Sequence, residues 1–352
     1  MIDLTKFKPD LIDNFDKKVT ENSAEAAADI AVANGIENYM IFFKKDGARL
    51  QLLKQQVLGR SLKLPQSKLI IDRFQPLTDL CAQLNITADG EFYSHEMKFN
   101  EIMRFWKCED VTIDKEVVKW TKAKAKGSDL FPGRSVEWLT TFHEDLKFWL
   151  FDGLILDRPD MVRFEDRIFE IMRRISQADE DLKRFITFPQ IHHVKNRQEL
   201  MDLYEYALEL GYEGLVLVHK DHQYKFGRNS NNVGTILKMK DDSIEYDGVI
   251  LDVLEGDMVK DDVERTTNEL GRSVTSKKKA DRIPSGLAKG FLVQYEEVGT
   301  FPVGLSGFDN EAKRELLQNK EKYIGRHFRY KGMPPVKDFP RSVYFESWRD
   351  TK

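Results

Sequence analysis

Lys44 stands in the stretch YMIFFKKDGARLQLL, Tyr39 to Leu53, five residues before Arg49. The Asp46-Gly47 pair between two apolar-rich runs is a strong signal for a two-residue hairpin turn. In such a hairpin Lys45 pairs with Ala48 and Lys44 with Arg49. Directly opposed residues share a face, so the reading places two cations side by side at a cost. A bound anion, a phosphate above all, would relieve the repulsion. A second cation pair, Lys238 and Lys240 in TILKMK, has the i, i+2 spacing that puts both on one face of a strand, with Leu237 and Met239 on the other. Two acids could balance these cations. Glu91 follows an Asp89-Gly90 turn, and Glu213 opens the apolar run EGLVLVHK, where a carboxylate can reach a ligand or hold Mg²⁺. Phe151, in FWLFDGLIL, is either a core residue or a ring on which a base stacks. Each feature alone has an ordinary explanation: a frayed hairpin, a strand with one solvated side, a charge at a strand end. Together they suggest a cleft lined by lysines and arginine that holds a polyanion.

The elements that must carry these residues alternate without a regular βαβ rhythm. ENSAEAAADIAVANG, residues 21–35, reads as a helix ended by Gly35. The β-rich runs are SKLIIDRF, GEFYSH, KFWLFDGLIL, RFITFPQIHHV, EGLVLVHK and TILKMK. Helical patterns interrupt them at FNEIMRFW, FEDRIFEIMRRISQ and NRQELMDLYEYALELG. The expected class is therefore α+β, with antiparallel sheets and packed helices. After Lys240 the texture becomes short strands with turn signals and one helical stretch, NEAKRELLQNKEKY. About 110 residues of this kind suit a small β-barrel such as an OB-fold. The boundary falls near Asp241-Asp242, giving domains 1–241 and 242–352.

With 55 Lys and Arg against 59 Asp and Glu, the 352-residue chain carries a formal charge of −4, so it is not basic as a whole. Basic residues are nevertheless concentrated in KEVVKWTKAKAK, Lys115 to Lys126, and RSVTSKKKADR, Arg272 to Arg282. Either run is a solvated segment or a contact for a phosphate backbone. No apolar run reaches membrane-spanning length, and the first residues lack the apolar core of a signal peptide. Cys81 and Cys108 have no metal-type spacing and are expected to be reduced, packing residues in a cytoplasmic protein. The His192-His193 pair reads as structural or surface.

Taken in order, these residues resemble the motifs of the covalent nucleotidyltransferase superfamily of ATP-dependent DNA ligases, RNA ligases and mRNA capping enzymes. Lys44-Lys45-Asp46-Gly47 with Arg49 is similar to motif I, Gly59-Arg60-Ser61 to motif Ia, and Asp89-Gly90-Glu91 to motif III. Phe151-Asp152 resembles motif IIIa, Glu213-Gly214 motif IV, and Lys238-Met239-Lys240 motif V. The likeness is greatest to compact bacteriophage DNA ligases, in which a nucleotidyltransferase domain precedes an OB-fold. It extends to YKFGRNSNNVGTILKMK and to the tail FRYKGMPPVKDFPRSVYFESWRD. Three features depart from the pattern. Phe42 occupies the place where many ligases carry an acid, the closing R-x-D-K is approximated by Arg349-Asp350-Thr351-Lys352, and the span from Glu91 to Phe151 is long.

The resemblance implies three steps. Lys44 attacks the α-phosphorus of ATP to give lysyl-AMP, AMP passes to the 5′-phosphate of nicked duplex DNA, and the 3′-hydroxyl displaces it. It also implies that Lys238 and Lys240 assist the chemistry and that Arg49 contacts phosphate. By the same likeness Arg60 contacts the nick phosphate or nucleotide, Glu91 a ribose hydroxyl and Phe151 the adenine, with Glu213 a ligand of Mg²⁺. The expected protein is a monomer, in an infected bacterial cell if phage-encoded. An RNA ligase, a GTP-using capping enzyme and a catalytically inert nucleic-acid-binding relative are the alternatives.

Overall fold

The computed structural model describes residues 4, 7–11, 23–107, 113–127, 129, 133–135, 138, 145–177, 180–229, 234–240, 244–263, 266–268, 273–276, 278–333, 335 and 339–349. The chain divides into two compact units, Met1–Asp241 and Asp242–Lys352. Residues 241–243, on which the expected boundary falls, lie outside the described residues, as does Cys108.

The strands of the first unit are β1 (Asp10–Leu11), β2 (Tyr39–Lys44), β3 (Ala48–Leu53), β4 (Gln56–Gly59), β5 (Ala88–Tyr93), β6 (Lys147–Asp152), β7 (Ile186–Thr187), β8 (Gly214–His219), β9 (Gly227–Arg228) and β10 (Ile236–Lys240). Its longer helices are α1 (Ser23–Ala33), α2 (Lys68–Gln83), α3 (Phe99–Lys107), α4 (Ile113–Lys124), α5 (Phe164–Ser176) and α6 (Arg197–Glu209). The main sheets are a five-stranded one, β4-β3-β5-β6-β7, and a three-stranded one, β10-β8-β2. All pairs in them are antiparallel except β6–β7.

Strand alternation sorts the side chains. Leu50, Leu52, Phe92, Phe148 and Leu150 are buried in one cluster with Ile70, Phe74 and Leu77 of α2 and Ile102 and Phe105 of α3. Arg49, Glu91 and Trp149, which are paired across β3, β5 and β6, therefore lie on the opposite face. In the three-stranded sheet Ile41, Leu215, Leu217, Leu237 and Met239 are buried with the alanines of α1 and with Leu200, Tyr204 and Ala207 of α6. Lys44, Lys238 and Lys240 are left on the other face, as the i, i+2 spacing requires.

Three sequence expectations are corrected. SKLIIDRF is not a strand but the start of α2, where buried Ile70, Phe74, Leu77 and Cys81 recur at helical spacing. Pro76 lies inside that helix and disguises its continuity. RFITFPQIHHV supplies only the two residues of β7 and a bridge from Ile41 to His192. Asp46-Gly47 does not close a hairpin: β2 pairs with β8 and β3 with β4 and β5, so the turn carries the chain from one sheet to the other. The expected pairing of Lys44 with Arg49 is absent.

In the second unit β11 (Ile244–Val249), β12 (Asp252–Val259), β15 (Arg282–Tyr295), β16 (Gly299–Gly304), β17 (His327–Met333) and β18 (Arg341–Trp348) form one sheet; β13 (Thr266–Thr267) and β14 (Ser273–Val274) pair separately. The order is β11-β17-β18-β16-β15-β12. Its two end strands are consecutive in the chain. Ile250 N donates to Arg326 O at 3.1 Å on the β17 side and Leu251 N to Leu292 O at 2.8 Å on the β15 side. A single bent strand thus joins both ends of the sheet, giving the five-stranded barrel topology of an OB-fold. The helix α7 (Asn310–Gln318) connects β16 and β17 and is capped by Asp309, whose side chain accepts from Ala312 N. Among the described residues no helix is long and apolar enough to cross a membrane.

Candidate active site

Lys44 on β2 and Lys240 on β10 both stand opposite Gly214 of the central strand β8. The glycine leaves the space between them without a side chain, and the preceding residue fills it. The Glu213 carboxylate forms an ion pair with Lys44 Nζ and accepts a second hydrogen bond from Lys240 Nζ at 3.1 Å. Glu213 N also donates to Lys44 O at 2.9 Å, which fixes the strand ends together. Gly214 has φ +137°, and a Cβ there would collide with Met239 O, so the glycine of the Glu-Gly pair is a steric requirement. Burial pushes the Glu213 carboxyl up, but the two ammonium groups outweigh it and hold the group below the usual carboxylate range.

The facing residues come from the five-stranded sheet. Arg49 opposes Glu91 on β5, and Glu91 opposes Trp149 on β6. Arg49 grips Asp89 with two hydrogen bonds, Nε to Oδ1 at 2.6 Å and Nη2 to Oδ2 at 2.5 Å. Burial acts to lower the guanidinium pKa, yet the Asp89 charge raises it further, so Arg49 stays a cation. Burial pushes the Glu91 carboxyl up to about 7 against the opposing pull of Arg49 and Lys44; Asp89 and Glu213 add to the rise. Charges from both sheets therefore act on the Glu91 carboxyl. Phe151 is the extra residue of a bulge, because Asp89 opposes Asp152 while Gly90 opposes Leu150. Bulges re-aim side chains. Here the ring lies 5.7 Å from the Arg49 guanidinium.

The anion expected between Lys44 and Arg49 is thus supplied by the protein itself: Glu213 takes Lys44, and Asp89 takes Arg49. Asp89, expected in a turn and as the first residue of the motif III match, instead lies within β5. Lys238 shares the face of Lys240 one row further along, opposite Val216. Arg60 is exposed in the turn after β4, one residue past the Leu50–Gly59 pair. Lys45 is not a remote surface group. Its Nζ donates to Phe43 O at 3.1 Å and lies 4.5 Å from the Trp149 ring centre and 5.6 Å from that of Tyr212. Burial pushes its amine down to about 8, with Glu91 opposing.

A clustered lysine and arginine face, with a carboxylate shared between two lysines and a ring beside the arginine, suits a nucleotide phosphate. The family description "ATP dependent DNA ligase domain" matches residues 22–240, which hold every one of these groups. The chain belongs to the ATP-dependent DNA ligase family. None of the curated proteins matches the sequence. Among solved structures, a Lig E DNA ligase has a similar fold, with a TM-score of 0.58 at 17% identity over 99% of this chain and 100% of that one. The structure called Pmar-Lig_PreS3 gives a TM-score of 0.60 at 18% identity over 97% of this chain and 67% of that one. The Chlorella virus DNA ligase-adenylate aligns over 99% of both chains at 20% identity, with a TM-score of 0.45.

Ligases of this family require a divalent metal, and the donor set bears on which one fits. Among the described residues no three His, Cys, Asp or Glu side chains converge on a metal-sized space. Glu213 and Glu91 supply oxygen donors only, and Mg²⁺ characteristically binds through one or two carboxylates together with phosphate oxygens and water. These oxygen donors therefore suit a hard divalent cation in the company of a nucleotide. At the chain's end, Arg349 is paired with Asp247, Nε to Oδ1 at 2.8 Å and Nη2 to Oδ2 at 3.0 Å. The rest of the expected closing motif, residues 350–352, lies outside the described residues.

Proposed function

We propose that this ATP-dependent DNA ligase seals nicks in duplex DNA with Lys44 as its nucleophile. The observation that supports the assignment is the row Lys44, Gly214, Lys240 with Glu213 between the two lysines. Lys44 reacts only as the free amine, so it must leave Glu213 and give up its proton. Lys240 stays on the far side of the carboxylate and keeps Glu213 compensated as Lys44 departs. The amine then forms an N–P bond to the α-phosphorus of ATP while the bond to pyrophosphate breaks. Arg49, Lys238 and Lys240 balance the charge that develops on the phosphate oxygens. Mg²⁺ held at Glu213 and the phosphates would neutralise charge and favour the leaving group.

Phe151 stacks on the adenine, and Glu91 accepts from a ribose hydroxyl. In the second step the Lys44–phosphorus bond breaks as the 5′-phosphate of the nick takes AMP, and Arg60 holds that phosphate or the nucleotide. In the third step the 3′-hydroxyl attacks the 5′-phosphorus and AMP leaves. The OB unit and exposed lysines such as Lys115, Lys119 and Lys122 on α4 hold the duplex, and the enzyme works as a monomer.

The test uses α-labelled ATP and α-labelled GTP with wild-type and Lys44→Ala protein, followed by sealing of nicked DNA, RNA and hybrid duplexes. Label from ATP alone, lost in Lys44→Ala, with sealing of nicked DNA, is expected. Label from GTP, or persistent label in Lys44→Ala, overturns the assignment.

A further inference from the structure

A guanidinium attracts a phosphate by its charge, but it can direct hydrogen bonds to one only with the N–H groups its own protein leaves open. Arg49 uses Nε on Asp89 Oδ1, and Nη2 on both Asp89 Oδ2 and the Asp10 carbonyl oxygen, the last at 2.9 Å. Both Nη2 hydrogens and the Nε hydrogen are thereby committed. Among the described residues the two Nη1 hydrogens have no hydrogen-bond partner, and the guanidinium carrying them lies beside Phe151. The direction of that open edge is set by whatever fixes Asp89 and the Asp10 carbonyl.

Both are fixed by residues outside the numbered motifs, although Tyr224, Lys225 and Asn229 fall in the stretch YKFGRNSNNVGTILKMK. Tyr224 OH donates to Asp89 Oδ2 at 2.7 Å and accepts from Asp10 N at 3.4 Å. The Asp10 carboxylate is only 5% exposed and is fully engaged. His222 Nε2 lies 2.7 Å from Oδ2, Lys225 N donates to Oδ2 at 3.1 Å, and Asn229 Nδ2 donates to Oδ1. Asp10 also pairs with Gly227 in the short parallel ladder β1–β9. A buried carboxylate with three donors holds one geometry, because any misalignment leaves a charge or a donor unsatisfied.

We propose that Asp10 and Tyr224 are positioning residues for adenylation, aiming the open edge of Arg49 at the nucleotide phosphates. The proposal rests on the function proposed above. It makes the N-terminal strand and residues 222–229 part of the nucleotide site, although neither need touch the nucleotide. Their pull is transmitted through Arg49.

The test is a double-mutant cycle. Tyr224→Phe removes one hydroxyl and keeps the ring against Phe7 and Phe226, so it is the primary variant, and Asp10→Asn is the second. Leu77→Val, buried behind the five-stranded sheet, serves as a stability-matched control. ATP affinity is measured by calorimetry in the Lys44→Ala background, which cannot consume ATP, and self-adenylation kinetics with Lys44 intact. Tyr224→Phe is expected to weaken ATP binding about fivefold, the worth of one hydrogen bond, and to raise KM more than it lowers kcat. In Arg49→Ala protein it should add nothing further. A loss no larger than that of Leu77→Val, or the same loss with and without Arg49, would overturn the proposal. Failure of the wild type to form lysyl-AMP would instead overturn the underlying reading.

Discussion

Glu91 gives the most direct test of how this site is built. Its carboxyl is partly buried between Arg49 and Trp149, and burial pushes its pKa from an ordinary 4.5 up to about 7. A pKa raised in the folded state means that folding favours the protonated form. The stabilisation is complete below the unfolded value near 4.5 and is lost as pH rises through about 7. At about 1.4 kcal/mol for each pH unit in that interval, ionised Glu91 costs the fold on the order of 3 kcal/mol at pH 8. Glu91→Gln keeps the shape and cannot ionise. Thermal melts of ATP-free protein from pH 4.5 to 8.5 should show the variant's advantage over wild type growing with pH, to roughly 6–12 °C at pH 8 for a unit of this size. Adenylation should fall in the same variant, since the ribose loses its charged acceptor. A stability difference that does not change with pH would refute the claim that burial dominates at Glu91.

Other expectations follow from the same geometry. Lys45→Met should keep lysyl-AMP formation within about fivefold of wild type, because among the described residues Lys45 Nζ hydrogen-bonds a backbone carbonyl and lies beside two rings; complete loss of label would mean that the nucleophile has been misassigned. Gly214→Ala combines a φ of +137° with a collision at Met239 O and should cost at least about 3 kcal/mol, read as a fall in melting temperature; an unchanged melt would contradict the close approach. Charge reversal of exposed Lys115, Lys119 and Lys122 on α4 should leave self-adenylation intact and flatten the salt dependence of nick binding by about 0.9 for each DNA phosphate that is no longer neutralised. An unchanged slope would remove α4 from the DNA surface.

Much of this protein was legible in its residues. The Lys238–Lys240 face follows from strand alternation alone, because Leu237 and Met239 must be buried, and the α+β class follows from composition and period. Motif order along the chain identified the family, and the family description spans the residues that carry those motifs. The turn at Asp46-Gly47 was legible as a turn but not as a hairpin, since turn chemistry is local and the choice of sheet belongs to distant partners: β8 for Lys44, β5 for Arg49. The two cations that sequence pairing set side by side are instead compensated separately, by Glu213 and by Asp89.

Asp10, Tyr224, His222 and Asn229 have no spacing that marks them. They meet only because β1 and β9 pair across more than two hundred residues. The sequence by itself determined which reactive residue types the chain carries, on which strand faces and in what order, because residue type and strand period are local. Which charges neutralise one another, and which edge of Arg49 remains open, was decided only by the tertiary structure, because burial and long-range pairing set the strength of every charge in the site.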